Sequence, residues 1–233
     1  MAEQFEVIDF MGNKTGELKD RKAIHLDGTW HKSRHVHPIN SEKGTIIFQQ
    51  RDVTKDVCPG MLDTAAAGHY APKESADDAL REVYEEIGVN IERVRDNIVR
   101  LTGPNIPEAM EAKLIDVKAP HIQIFEQGKV MNHELQDVSF LDSKLGVENL
   151  KLQKEEVFAV VEFTQQAIMD LFSGEVESIT NSAGKKFNKD GELVDFEQEW
   201  TRKDFWPTGD NYFGKSAETA MRIADGETEF QGI

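Results

Sequence analysis

The order of apolar and polar positions changes period several times along the chain, and each change marks an expected element. "FEVID" alternates and predicts a strand, and "FMGNKTGE" follows as a Gly/Asn turn. "RKAIHLDGTWHKSRHVHPIN" then leads through a loop into a β-like run. Within it His31, His35 and His37 alternate as residues of a strand entering a sheet do, in packing or hydrogen-bonding roles. "GTIIFQQR" reads as a strand of β-branched and aromatic residues, and "KDVCPGMLDTAAAGHY" as a loop into a short strand, turning at Pro59-Gly60. A helix is predicted next, with Ser75 as N-cap, Asp78 completing a variant capping box and Gly88 as its stop. "HIQIFEQGKVMNHELQDVSFLD" predicts a hairpin turning at "EQGK", and "EVFAVVEF" a strand before a helix at "TQQAIMDLF".

Beyond Phe172 the chain becomes rich in Gly, Asn and Asp. "ITNSAGKKFNKDGELVDFE" is hairpin-like, and "GDNYFGKSAETAMRIADG" predicts a closing helix. Residues 1–172 are therefore expected to form the main domain, with 173–233 an extension packed on it, too short for an independent domain. In that extension "TRKDFWPTGDNYF" gathers Arg202, Lys203, aromatics and an Asp, suited to cap a substrate cleft or to line a subunit interface, so a homodimer is left open.

Composition narrows the function. With 39% hydrophobic residues the chain can bury a sizeable core, and 27 Lys and Arg against 43 Asp and Glu give a formal charge of −16. That balance disfavours nucleic acid and anionic membrane as partners, and an anionic substrate would need local help such as metal ions. No stretch approaches the roughly 18 apolar residues of a membrane span, and "MAEQFEVIDF" lacks the basic start and apolar run of a signal peptide. A soluble, cytoplasmic protein is the expectation. Cys58 is the one cysteine, which excludes an intrachain disulfide and a cysteine-based zinc site.

The expected helix after Ser75 carries Glu82, Glu85 and Glu86 at i, i+3 and i+4, so their carboxylates crowd one face. Like charges so spaced repel by roughly a few tenths of a kcal/mol per pair in an isolated helix. Two readings are consistent with that pattern: a solvated acidic face, or a site for a hard divalent cation such as Mg²⁺ or Mn²⁺ held by oxygen ligands.

Gly68, five residues to Glu74, then Arg81-Glu82-Val83-Tyr84-Glu85-Glu86-Ile87-Gly88-Val89 closely resembles the Nudix box, Gly-x5-Glu-x7-Arg-Glu-U-x-Glu-Glu-x-Gly-U with U aliphatic. Six residues rather than seven separate Glu74 from Arg81, and Lys73 stands where a Gly often precedes the Glu. Upstream and downstream, "FEVIDFMGNKTGELKDRKAIHLDGTWHKSRHVHPIN", "FQQRDVTKDVCPGMLDTAAAGH" and "NHELQDVSFL" are similar to the isopentenyl diphosphate isomerase-like branch of that superfamily. The branch holds both isomerases and pyrophosphohydrolases. Isomerases carry a Cys directly before the Gly-His, where this chain has Ala67, and a degraded box, where "REVYEE" is intact; Cys58 lies nine residues earlier, as an incidental loop or core residue. His25, His31, His69 and Glu134 resemble the isomerase metal ligands, with Asn132 in place of a second glutamate.

The resemblance implies an α/β fold, the Nudix α/β/α sandwich with a mixed sheet and here a C-terminal extension. It implies a metal-dependent pyrophosphohydrolase cleaving a nucleoside diphosphate or related small-molecule diphosphate. Glu82, Glu85, Glu86 and the Gly68 carbonyl would hold Mg²⁺ or Mn²⁺, and Arg81 would orient a glutamate. Arg51 and Glu134 are candidates for substrate binding; Glu134, Glu155, Glu156 and the box glutamates are candidates for the general base. Trp30, Trp200, Trp206, Tyr212 and Phe213 could stack on a base or form core. An isopentenyl diphosphate isomerase-like enzyme and a catalytically silent nucleotide-binding module are the alternatives; silent modules typically lose box glutamates, and this chain keeps them all.

Overall fold

The computed structural model describes residues 3–55 and 57–233; Asp56, in the expected loop before Pro59, lies outside them. Strands β1 (Gln4–Ile8) and β2 (Lys14–Asp20) form an antiparallel ribbon. The stretch read as a loop before the histidine run contains a short helix, α1 (Arg21–Asp27), in which Ile24 alone is buried. One inward apolar position in two turns creates no period, which is why the pattern did not show it. Gly28, at φ 67, stops the helix in the left-handed region that glycine enters without steric cost.

The main sheet begins with β3 (His31–Asn40) and β4 (Thr45–Arg51). These pair only at Ile39–Ile46 and Asn40–Thr45 and then part. Into the gap go β5 (Leu62–Thr64), which pairs with β4, and β6 (Ala66–His69), which pairs with β3 from Ser33–His69 to Val36–Ala66. This splay sets Ala67, Gly68 and His69 beside the inward histidines of β3.

Helix α2 (Arg81–Ile87) follows a short 3-10 turn at Asp78–Leu80, and Gly88 caps it in the left-handed region. The Ser75–Asp78 hydrogen bonds are present, Ser75 N–H and Oγ–H donating to Asp78 Oδ2 at 3.0 and 2.6 Å and Asp78 N–H donating back to Ser75 Oγ at 3.3 Å, but they close the turn that leads into the 3-10 segment; the α-helix itself begins at Arg81 with Leu80 at its N-cap, so Ser75 is not the cap expected of it. A meander of β7 (Asn90–Arg95), β8 (Ile98–Gly103) and β9 (Ile106–Asp116) comes next, in a region where the sequence reading placed no element. The expected hairpin is β10 (His121–Gln127) and β11 (Val130–Asp142). β11 runs parallel to β3, opposing Glu134 to His31, and antiparallel to β9, so the sheet is mixed.

Strand β12 (Val157–Thr164) pairs with β4, and α3 (Gln165–Ser173) starts at Thr164, whose hydroxyl accepts from Ala167 N–H. After Phe172 come β13 (Ser178–Thr180), β14 (Ala183–Phe187), β15 (Leu193–Asp195), β16 (Glu199–Thr201) and α4 (Tyr212–Ala224). β14 joins the main sheet on β12. Leu80, Val83 and Ile87 of the α2 region pack with Val99, Leu101 and Val160, while Ile168 of α3 and Phe213 and Ala217 of α4 pack with Phe48, Phe140 and Phe163. The two clusters make the layers of an α/β/α sandwich. Among the described residues no helix is long and apolar enough to cross a membrane.

Candidate active site

The carboxylates of α2 are ordered by one arginine and two backbone features. Arg81 reaches Glu74 Oε1 through Nε at 2.7 Å, and Glu82 Oε1 and Glu85 Oε2 through one terminal nitrogen at 2.6 and 2.9 Å. Its other terminal nitrogen donates to the His69 carbonyl at 3.2 Å, tying the helix to β6. Despite the shorter loop, Glu74 meets Arg81 and also accepts from Ala71 N–H at 2.7 Å. Lys73, where the box favours Gly, sits at φ 69, the left-handed conformation that explains the preference.

Glu86 points inward. Its Oε2 accepts from Ala67 N–H at 2.9 Å and from Gln49 Nε2 at 3.1 Å, and burial pushes its carboxyl up to about 8 against the pull of the Ala67 N–H. Burial also raises Glu82, with Arg81 opposing it. Glu85 is exposed. Gly68 lies directly against Glu82: a Cβ there would stand 2.0 Å from Glu82 Cδ. The group thus brings Gly68, Arg81, Glu82, Glu85 and Glu86 together, with a buried carboxylate held costly to ionise and with one guanidinium against four carboxylates. A divalent cation fits that set, because it offsets the charge that burial penalises.

A second cluster adjoins it across His69. His25 of α1, His31 of β3, His69 of β6 and Glu134 of β11 each offer a donor atom, and these atoms lie within 4.8 Å of one another. Glu134 Oε1 accepts from Asn132 Nδ2 at 2.7 Å and faces His69 Nε2 at 3.1 Å; its Oε2 accepts from Ser33 Oγ–H at 2.8 Å and Gln136 Nε2 at 3.0 Å. Burial works against the Glu134 carboxylate most strongly, but His69 at hydrogen-bond distance and His31, whose Nε2 lies 3.6 Å away, together hold it well below the usual range. Burial lowers His25 to about 4 and lowers His69, so both rings are neutral ligand-type imidazoles. The buried Nε2 atoms of His25 and His31 have no hydrogen-bond partner among the described residues. Unpartnered nitrogens on two of the three histidines, beside His69 and the Glu134 carboxylate, fit a transition-metal dication.

Both clusters open on one cavity of about 880 Å³. Arg51, Lys55, Lys129, Arg21 and Lys22 stand on its walls among Glu3, Asp63, Glu156 and the box carboxylates, so the lining carries both signs of charge. Arg51 is held by the Val57 carbonyl at 3.3 Å, by Asp63 at 3.4 Å and by the Trp206 ring, 4.9 Å from its guanidinium carbon. Composition gave no sign of this lining, because Lys55, Lys129, Asp63 and the α1 cations come from separate loops and strands that only the sheet register assembles.

Other candidates fall elsewhere. Glu155 is exposed and does not line the cavity, and Glu156 does but is paired with Lys55. Trp200, Tyr212 and Phe213 are core. Trp206 reaches the cavity wall but is nine-tenths buried against Phe125, leaving no open face for a base. Trp30 packs on Phe10 and His133. Cys58 lies in the main core cluster, and burial pushes its thiol up to about 11, so it is a protonated core cysteine.

Comparison with known proteins agrees with this arrangement. No protein-family model matches the chain. An uncharacterized Nudix hydrolase of Clostridium acetobutylicum is 26% identical over 216 residues, spanning 91% of this chain and 95% of that protein. Nudix hydrolase 3 of Arabidopsis thaliana is 32% identical over 164 residues, 69% of this chain but 19% of the plant protein. Among solved structures, that of DR0079 from Deinococcus radiodurans superposes with a TM-score of 0.51 at 13% identity, covering 74% of this chain and 90% of that one, which shows a shared fold. With the box in place on its loop and helix, the chain is similar to Nudix hydrolases along 91% of its length.

Proposed function

We propose that the protein is a Mg²⁺- or Mn²⁺-dependent pyrophosphohydrolase acting on a small organic diphosphate. The observation that supports this most is the convergence of Gly68, Arg81, Glu82, Glu85 and Glu86 on one cavity that Arg51 and Lys129 also line. Glu82, Glu85, Glu86 and the Gly68 carbonyl would hold the ion, which when bound neutralises charge on phosphoryl oxygens and acidifies water. Arg81 fixes the carboxylates that face the ion, the Ala67 N–H anchors Glu86, and the absence of a side chain at Gly68 lets Glu82 approach β6. Arg51 and Lys55 draw the diphosphate in against the net charge of the chain. Oε1 of Glu134 faces the histidine cluster while its Oε2 is held by Ser33 and Gln136, which favours a ligand role there over substrate contact. With Glu155 outside the cavity and Glu156 paired, the general base is best sought within the box. Residues 173–233 fit the reading of an extension packed on the domain of 1–172, since Trp200, Phe205 and Phe213 share its core.

The test is a panel of nucleoside diphosphate compounds and simpler organic diphosphates, assayed for phosphate or monophosphate release with Mg²⁺ or Mn²⁺. Hydrolysis of at least one compound, abolished by chelation, is expected; no metal-dependent release across the panel would overturn the reading.

The histidine cluster favours one second reading, an isomerase acting on isopentenyl diphosphate. That chemistry requires a proton donor to carbon at position 67, where the methyl of Ala67 has none, and Cys58 is buried in core. Deuterium entering isopentenyl diphosphate from heavy water, together with silence on the diphosphate panel, would establish it in place of the hydrolase.

A further inference from the structure

His35 lines the cavity, and its ring is gripped from behind by the C-terminal helix. Its Nδ1 lies 3.1 Å from Tyr212 Oη and 3.2 Å from Thr64 Oγ1. On the other side Tyr212 Oη lies 3.0 Å from Nε2 of His37, and His37 Nδ1 is buried with no partner among the described residues. The tyrosine hydroxyl has one proton to donate, which can go to His37, to His35 or to neighbouring Thr64.

Donating to His37 and accepting from it differ in what they leave unpaired. If Tyr212 donated to His37, the His37 proton would sit on Nδ1, as a buried N–H with nothing to bond. If His37 Nε2–H donates to Tyr212, Nδ1 keeps only a lone pair, and buried acceptors are left unsatisfied somewhat more often than buried donors. Ser216 points the same way. Its hydroxyl donates to the Tyr212 carbonyl at 2.9 Å, which leaves its oxygen, 3.4 Å from His37 Nε2, to act as an acceptor for a proton there. With His37 donating to it, the Tyr212 hydroxyl is left free to donate to His35 Nδ1, 3.1 Å away, and in that arrangement the His35 proton resides on Nε2.

We propose that the Tyr212–His37 relay on the C-terminal helix locks His35 as a neutral Nε2–H donor that binds an oxygen of the diphosphate substrate. Within the sheet His35 is paired with Ala67, the residue whose N–H holds Glu86, so the donor faces the region beside the box carboxylates. Burial lowers the basicity of both His35 and His37, in keeping with neutral rings. A fixed neutral donor suits this position: it contacts a phosphoryl oxygen without adding a cation that would compete with the bound metal for the carboxylates. The C-terminal extension thereby takes part in substrate binding through positioning residues, Tyr212 and His37, that do not themselves touch the cavity.

This rests on the diphosphate reading above, and its test has an arm independent of turnover. Long-range ¹⁵N–¹H correlation on ¹⁵N-histidine-labelled protein, with His35 assigned by loss of its signals in His35→Gln, reports the tautomer directly. The Nε2–H form is expected for His35 and His37 in the unmodified protein, and a mixture at His35 in Tyr212→Phe. Methylenediphosphonate with Mg²⁺ is the binding probe, measured by calorimetry. His35→Gln keeps a donor near the Nε2 position and should bind within about threefold of the unmodified protein, whereas His35→Leu should bind about tenfold more weakly. An Nδ1–H tautomer at His35, or equal affinity in His35→Leu and the unmodified protein, overturns the proposal, and the tautomer result stands whether or not any panel compound is hydrolysed.

Discussion

A Cβ on Gly68 would stand 2.0 Å from Glu82 Cδ, so the loop strand β6 and the box helix meet where there is room for a hydrogen and not for a methyl. The obstructed atom belongs to a side chain that can swing, which makes the expected penalty one of placement more than of folding. Gly68→Ala should lower turnover about a hundredfold, as misplacing a reacting or charge-bearing group by about 1 Å does, while the melting temperature moves little. Circular dichroism melts alongside metal-dependent hydrolysis separate the two; an active Gly68→Ala protein would mean that Glu82 needs no such approach.

Glu86→Gln probes the buried carboxylate. The glutamine carbonyl can still accept from Ala67 N–H, which lies 2.9 Å from Glu86 Oε2, so the fold should persist. Losing the charge should reduce turnover by at least about a hundredfold, and Glu85→Gln on the exposed side of the same set should do likewise. Near-normal rates in both variants at saturating Mg²⁺ would sink the assignment of these residues to the metal.

What the sequence revealed and what it hid follow from the range of the interactions. Glu82, Glu85, Glu86 and Arg81 share a helix, so their mutual geometry is a local property of 3.6-residue periodicity and could be read directly. The box motif then implied the sandwich. The seat of Tyr212 between His35 and His37 is different in kind: these residues are 177 and 175 positions apart, and nothing local couples them. Helix α1 went unread because Ile24 is its one buried residue. The β7–β9 meander also went unread: outward charges such as Glu92 and Arg100 break up the apolar pattern, and its inward residues, Val99 and Leu101, gain meaning only against Val83 and Ile87 of the box helix.

Lys73 offers a test of strain at the entrance to the box. At φ 69 its backbone occupies a region that costs an L-residue roughly 1–2 kcal/mol, and glycine escapes that cost while losing about 0.4–1 kcal/mol through its freer unfolded chain. Lys73→Gly should therefore be neutral to mildly stabilising in urea titration, by about 0.5 kcal/mol, where most loop substitutions to glycine destabilise. A clear loss of stability would mean that the Lys73 side chain contributes contacts that outweigh its backbone strain.

Metal binding and pH should be coupled through Glu86. Its carboxyl is pushed up to about 8 in the metal-free fold from an ordinary 4.5, chiefly by burial, so the fold favours its protonated form. The contribution of this group to metal-free stability is therefore fully present below pH 4.5 and is lost as pH rises through about 8. A divalent cation beside the carboxylates favours the ionised form and reverses that loss. Millimolar Mg²⁺ or Mn²⁺ should thus raise the melting temperature, since an ion that binds only the folded state stabilises it by mass action, and the increment should grow between about pH 6 and pH 9. Glu86→Gln removes the titrating group and should flatten that growth. Thermal shifts at a series of pH values, with and without metal, measure both quantities; an increment of equal size at every pH in the unmodified protein would show that Glu86 does not face the ion.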